Sequence, residues 1–244
     1  MATRTRRPER REEPLSREGI VEVAIELLDA TGEGGLTFRA LGERLATGPG
    51  AIYWHVANKG ELLGAATDAV VAAALAVEPA GSPTSPQDEI RAVALGLFHA
   101  IDAHPWLAAQ LSTQLSRSPW GSVAPRIFES IGRRIRALGV PEDSWFTATS
   151  VLVHYILGAA GQNAANTAHA RTLGPGANRA EFLDAVSSAW EELDPDDYPF
   201  TRAVASRLRE HDDREQFLAG IDLALTGITA PHPPGEQAPT PPTT

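Results

Sequence analysis

The chain has 244 residues, no cysteine and a formal net charge of −10, with 43% apolar and 21% charged side chains. That balance belongs to a soluble globular protein rather than a fibrous or disordered one, and the missing cysteines exclude a disulfide framework, a thiolate metal site and a cysteine nucleophile. No uninterrupted apolar run approaches the roughly 18 residues of a membrane-spanning helix, and the charged start lacks the apolar stretch of a signal peptide. The expectation is a cytoplasmic protein with no membrane partner.

An acidic chain is an unpromising partner for phosphates, but the charge is unevenly spread. Residues 1–60 carry nine basic and nine acidic side chains, whereas residues 61–244 carry twelve basic and twenty-two acidic. Arg4, Arg6, Arg7, Arg10 and Arg11 cluster in residues 1–15, ahead of the first predicted helix. This segment reads as a flexible basic arm, either solvated or laid on phosphates or a minor groove.

Ser16 is placed to cap a first helix whose Ile20, Val23, Ala24, Leu27 and Leu28 follow one helical face. Gly32, Gly34 and Gly35 predict its end near Thr31. Thr37 caps a second helix with an apolar stripe of Phe38, Leu41 and Leu45. After the short break Ala46-Thr47-Gly48, Pro49 suits the first turn of a third helix, to which 50–56 add about two turns. Asn58 and Glu61 form the capping pattern of a fourth.

Further on, alanine- and leucine-rich helical stretches alternate with breaks at 79–86, His104-Pro105, Ser118-Pro119, 139–141 and 174–176, without strand alternation. The stretch 151–161 is apolar around nearly the whole helix, which predicts burial on all sides as a core or dimer helix. Phe217, Leu218, Ile221, Ala224 and Leu225 mark a last amphipathic helix, a candidate packing partner. Residues 230–244, rich in proline, read as a disordered tail.

Two short helices joined by a three-residue turn, with a supporting helix before them, are the plan that sets a recognition helix in the DNA major groove. Helical hairpins in ordinary bundles share that geometry. The residues narrow it: Leu36-Thr37-Phe38-Arg39, Gly50-Ala51-Ile52-Tyr53-Trp54-His55-Val56 and Asn58-Lys59-Gly60-Glu61-Leu62-Leu63 closely resemble the tetracycline repressor (TetR) family. A fainter likeness runs through 150–163 around His154-Tyr155-Ile156-Leu157-Gly158.

The resemblance implies an all-α fold: a three-helix helix-turn-helix domain over 16–62 and a larger helical domain over 63–229 that binds an effector and dimerises. It implies a palindromic double-stranded DNA operator, a homodimer and release by a small molecule that prefers the DNA-incompetent state. By position in the family, Thr37, Arg39, Tyr53, His55 and Lys59 fall where DNA is touched. Small Pro49, Gly50 and Ala51 let the backbone approach the groove closely but offer almost no base-edge hydrogen bonds. Ile52 and Val56 are the better core pair, because consecutive helical residues point about 100° apart. Trp54 either packs on the first helix or enters the groove.

In the family's namesake a histidine and a glutamate hold a drug-magnesium chelate. The resemblance puts Gln110 and Gln162 there, and Leu75, Ala92 and Gly96 where drug contacts would be, so no magnesium-tetracycline binding, metal or cofactor is implied. What remains is a largely apolar lining with Trp106, Phe128 and Ile131 as walls and Gln110, Gln114, His154 and Gln162 as polar anchors, suited to a largely apolar effector. The alternative for His154 is a hydrogen-bonded core histidine, and Trp106, Trp120, Trp145 and Trp190 also suit core or interface.

An enzyme is the competing class. None of the seven histidines forms the i, i+4 pair with a glutamate of a zinc hydrolase, and no nucleophile elbow, Walker loop or dinucleotide fingerprint occurs. The acidic run Glu191, Glu192, Asp194, Asp196, Asp197 lacks the glycine and spacing of a calcium loop and reads as a solvated connection. An activator or an architectural DNA-binding protein would keep the helix-turn-helix and change its use.

Overall fold

The computed structural model describes residues 15–76, 85–117, 121–172 and 179–230, and these are helical without a strand. The basic arm, the proline-rich tail, the breaks at 118–119 and 174–176 and Trp120 lie outside the described residues, as does most of the break at 79–86. The chain divides into two compact units, Met1–Ala69 and Val70–Thr244.

In the first unit, local chemistry sets nearly every boundary. The Ser16 hydroxyl accepts from the Gly19 N–H at 3.0 Å and starts α1 (Arg17–Gly35), which leaves helical geometry at Gly32 (φ 67°), one residue past the expected stop. Thr37 caps α2 (Phe38–Arg44) by accepting from the Ala40 N–H at 3.1 Å. This helix closes with the Thr47 N–H on the Gly42 carbonyl at 2.9 Å and Ala46 in the left-handed region (φ 50°), the hydrogen-bond pattern of a Schellman stop. A Cβ on Gly42 would sit 2.7 Å from the Thr47 carbonyl oxygen, so the tightness of this turn depends on that glycine.

Proline at its first position starts α3 (Pro49–Tyr53). It is shorter than the two turns expected over 50–56, with 54–55 continuing as a turn. Ile52 and Val56 are both fully buried, and Asn58 already belongs to the cap of α4 (Lys59–Ala76), so little chain is left for helix between them. Asn58 Oδ1 accepts from the Glu61 N–H at 2.9 Å, while Glu61 Oε2 accepts from the Ala57 N–H at 2.8 Å. Ile20, Ala24, Leu28, Leu36, Leu41, Ile52, Leu62 and Ala66 form this unit's core.

In the second unit, α5 (Pro86–Ala103), α7 (Val123–Ala137) and α11 (Asp213–Thr229) pack around the long α8 (Trp145–Thr172), with α6 (Trp106–Arg117) against α7 and α8. Ile90, Ala94, Leu97 and Ile101 on α5, Ile127, Ile131 and Ile135 on α7, and Phe217, Ile221 and Leu225 on α11 repeat at helical spacing and are buried. Arg134 bonds Glu89 at 2.9 Å and Arg91 bonds Asp222 at 2.7 Å, tying α5 to α7 and to α11. The Tyr155 hydroxyl donates to the Phe217 carbonyl at 3.2 Å, and burial pushes that phenol above its usual range.

Two expectations need correction. The stretch 151–161 is not buried on all sides: Leu152, Val153, Ile156 and Ala160 face the core, whereas Val151, His154 and Gly158 are exposed. An apolar composition shows what a helix can bury, and in the single chain this second face has no cover. His154, being exposed, is also not a core histidine.

The acidic run links α9 (Arg179–Glu191) to α10 (Pro199–Val204) and the 3-10 turn Ala205–Leu208. Asp194 Oδ1 accepts from the Asp196 N–H at 2.8 Å, and Arg202 donates to the Glu191 and Leu193 carbonyls at the end of α9. Arg209 bonds Asp184 and Glu191, and its hydrogen bond holds the Glu191 carboxyl below its usual range. These acids stabilise helix ends and a turn. Among the described residues no group of three or more His, Cys, Asp or Glu stands close enough to hold a metal, and no helix is long and apolar enough to cross a membrane.

Candidate nucleic-acid interface

Thr37, Arg39, Pro49, Gly50, Tyr53 and Trp54 are exposed, while Ala51, His55 and Lys59 are half-buried; they lie on α2 and its cap, on α3 and the turn that follows it, and at the start of α4. Trp54 is 90% exposed, so it does not pack on α1. An indole left in water by a unit with a complete apolar core is available to a partner. Tyr53, 54% exposed, stacks on Phe38 with ring centroids 4.4 Å apart and an interplanar angle of 9°. The stack fixes the Tyr53 ring and ties α3 to α2. Phe38, placed by its spacing in the apolar stripe of α2, is only half-buried and carries the Tyr53 ring, a support that periodicity does not reveal.

The Thr37 hydroxyl oxygen is occupied as a cap, which leaves its O–H free in direction to donate outward. Arg39 pairs with Glu43 at 3.0 Å on an exposed face, a contact worth at most about 1 kcal/mol and easily exchanged. Lys59 Nζ donates to the Glu33 carbonyl at 2.6 Å, satisfying a backbone acceptor at the end of α1. In the unbound chain it is therefore a structural clasp.

Of the residues expected to bind an effector, Phe128 and His154 are brought together. They line a cleft of about 700 Å³ between α6, α7 and α8, with Ala108, Ser112, Leu115, Ser116, Ala124, Pro125, Phe146, Leu157 and Gly158. The volume falls within the range of small-molecule sites. Trp106, Gln110 and Ile131 are buried in the packing and do not line it, and neither do Gln114 and Gln162. Gln162 is exposed and donates to Asn166 at 3.0 Å. Trp145, half-buried, donates to the Val140 carbonyl at 2.7 Å beneath the Arg136 guanidinium.

Phe146 is the wall residue that sequence reasoning missed: it is 74% exposed, with its ring 6.1 Å from that of Phe128. His154 at i+8 and Leu157 at i+11 share its helix face, the one signal by which it was accessible.

Three capped helices, a tight turn and a short helix bearing exposed aromatic rings define a helix-turn-helix DNA-binding regulator. Residues 20–66 match the model of bacterial regulatory proteins of the tetR family, and residues 79–231 match the tetracyclin repressor-like C-terminal domain. The chain belongs to the TetR family of transcriptional regulators.

It is similar to the structure of a TetR transcriptional regulator from Streptomyces coelicolor, with 70% identity, 89% of this chain and 99% of that one covered, and a TM-score of 0.80. It is 30% identical over 231 residues to an HTH-type transcriptional repressor of Streptomyces coeruleorubidus, covering 91% of this chain and 81% of that protein. An HTH-type transcriptional regulator of Saccharopolyspora erythraea is 34% identical over 155 residues, which span 62% of this chain and 64% of that protein.

Proposed function

We propose that this protein is a repressor that binds a palindromic operator as a homodimer and is released by a small, uncharged, largely apolar effector. The observation that carries the reading is the exposed Trp54 beside the braced Tyr53 at the end of a recognition helix whose large aliphatic residue, Ile52, is fully buried. Pro49, Gly50 and Ala51 keep the start of that helix slim enough for close groove approach. So few base contacts read little sequence, and two symmetric heads double the readout.

The dimer reading is supported by the uncovered face of α8 and α11. Val151 and Leu223, 44% and 76% exposed, border a groove with Val140, Ala148, Ala224 and Ile228. The effector reading is supported by the cleft lining, in which the described residues include no Asp, Glu, Lys or Arg and side-chain hydrogen bonding comes from Ser112, Ser116 and His154. The repressor reading follows from the name of the S. coeruleorubidus relative.

The test is binding to DNA fragments flanking the protein's own coding region at physiological salt with excess competitor. Wild type retains a fragment, and Trp54→Ala and Tyr53→Ala lose it by tenfold or more; because Trp54 is exposed, Trp54→Ala keeps the wild-type melting temperature. Unchanged binding by both variants would sink the reading of α3. Sedimentation addresses the dimer: wild type runs as a dimer at micromolar concentration, and Leu223→Glu runs as a monomer and loses the fragment. A monomeric wild type would remove the assembly.

A further inference from the structure

We infer that the cleft between α6, α7 and α8 takes a flat, fused-ring aromatic effector with a hydroxyl or carbonyl at one end, stacked on Phe128 and Phe146 and hydrogen-bonded by His154 with Ser112 or Ser116. This rests on the effector reading above and narrows it from apolar molecules in general to one shape and one polar pattern.

The first observation is the pair of rings in the wall. Phe128 on α7 and Phe146 on α8 stand with centroids 6.1 Å apart and planes 23° from parallel. Aromatic pairs interact over roughly 4.5–7 Å between centroids, so this pair lies towards the loose end of that range. Phe146 is 74% exposed, and its contact with Phe128 therefore leaves most of its ring in water. That ring lines a cleft of about 700 Å³, and it gains burial when something fills the space. Two rings so close to parallel suit a flat occupant, because a plane laid on one face is nearly aligned with the other. A saturated group of the same size is buried as well but lacks the added attraction between stacked π systems.

The second observation is the polar groups. Ser112 and Ser116 lie one turn apart on α6, and His154 lies on α8. Among the described residues none of these three side chains has a hydrogen-bond partner within the chain. Hydroxyls and a neutral imidazole both donate and accept, so together they match a ligand hydroxyl or carbonyl. The described lining residues include no Asp, Glu, Lys or Arg that would pair with a charged ligand. An occupant without polar atoms would take water from the three groups and return nothing.

The third observation is spacing. His154 follows Phe146 by eight residues on α8, about 12 Å along the helix axis. The stacking surface and the polar anchor thus stand towards opposite ends of the site. A single benzene ring is too short to serve both, whereas two or three fused rings with a substituent on the long axis span them. Ala108, Ala124 and Gly158 leave the room between.

The competing occupant is an acyl chain, whose head group would use the same polar side chains. The aromatic ligand is favoured because a fused ring has no internal rotations to lose on binding, whereas every methylene of a chain has to be ordered. A chain also makes no use of paired ring faces.

The experiment is isothermal titration calorimetry of the full chain with three ten-carbon alcohols: 2-naphthol, which is flat and aromatic; decahydro-2-naphthol, its saturated counterpart; and 1-decanol, a flexible chain. Wild type is expected to bind 2-naphthol about tenfold more tightly than decahydro-2-naphthol, the gain of two ring contacts, and more tightly than 1-decanol. Phe146→Leu removes most of that preference while keeping the wild-type melting temperature, since the ring is exposed. His154→Leu weakens 2-naphthol about three- to tenfold, the loss of one hydrogen bond.

Equal affinity for 2-naphthol and its saturated counterpart, or tighter binding of 1-decanol, would overturn the aromatic ligand and leave an apolar effector cleft standing. A preference for 2-naphthol that survives in Phe146→Leu would overturn the stacking account, and an unchanged 2-naphthol affinity in His154→Leu would overturn the polar anchor. Binding of none of the three probes up to their solubility limits overturns the aromatic ligand and the effector reading together.

Discussion

The two units of this chain reach order by different means. In the head, helix starts are set by side chains within four residues: Ser16, Thr37 and Asn58 each accept from a backbone N–H three residues on. The second unit also has capped starts, at Ser85 for α5 and Asp212 for α11, but its arrangement depends on helices of up to 28 residues whose Ile, Leu and Phe side chains meet across distances in sequence that no cap can bridge. A unit held by local caps and one tight turn can leave its large aromatic residues outside for a partner. A unit held by non-local burial fixes which large side chains go inside by the rotation of whole helices, and here it leaves Phe146 and Leu223 outside and a cleft where small residues such as Ala108, Ala124 and Gly158 meet.

The largest effect that tests this contrast is in the second core. Ile131 is fully buried on α7, and Ile131→Ala costs about 2–5 kcal/mol through lost burial and the cavity left behind. Calorimetry should show the loss in the unfolding of the second unit, while near-wild-type DNA binding by the head persists at temperatures where that unit is folded. A loss well under about 1 kcal/mol would show that the α7 seam is not close-packed.

A smaller effect probes the head. Gly42→Ala places a Cβ against the Thr47 carbonyl, which cannot give way without opening the turn between α2 and α3, and should cost about 1–3 kcal/mol. Because the turn aims α3, the variant should lose operator binding even at temperatures where it remains folded. If binding were unchanged, the turn would not be what positions Tyr53 and Trp54.

The smallest effect is a pH dependence confined to the second unit. Tyr155 keeps its proton to higher pH in the folded chain than its ordinary value of 10.0, because burial disfavours the phenolate. Below pH 10 the phenol is neutral in both states and its contribution is fully present. As pH rises from 10 through the raised folded value, the unfolded chain sheds the proton first and the contribution is lost. Thermal melts across that window should decline less steeply for Tyr155→Phe than for wild type. Parallel declines would show that Tyr155 ionises as an ordinary surface tyrosine does.

Legibility in the sequence followed the same division. The caps, the Gly32 break, the Pro49 start and the Ile52 and Val56 core pair depend on interactions a few residues long, and each was readable from its neighbours. The exposed place of Trp54 was open between two readings until packing decided it, because spacing shows only that a residue points elsewhere than Ile52. The cleft was read least well. Phe128 and His154 line it, but Trp106, Gln110, Gln114, Ile131 and Gln162 do not, and Phe146 does. Its lining comes from three helices whose relative rotation sets which side chains face one another, and rotation about a helix axis is fixed by the summed packing of all its neighbours.

The sequence alone determined the helical class, the helix-turn-helix plan and the family, because hydrophobic period, capping residues and the Tyr53-Trp54-His55 motif act within a single turn or carry a signature as they stand. Tertiary structure alone decided that Tyr53 is braced by Phe38, that Lys59 clasps the end of α1, and that one face of 151–161 lies uncovered. Each of these depends on which surfaces the packed helices leave over, and burial is settled by the whole set of contacts rather than by the polarity of any one residue.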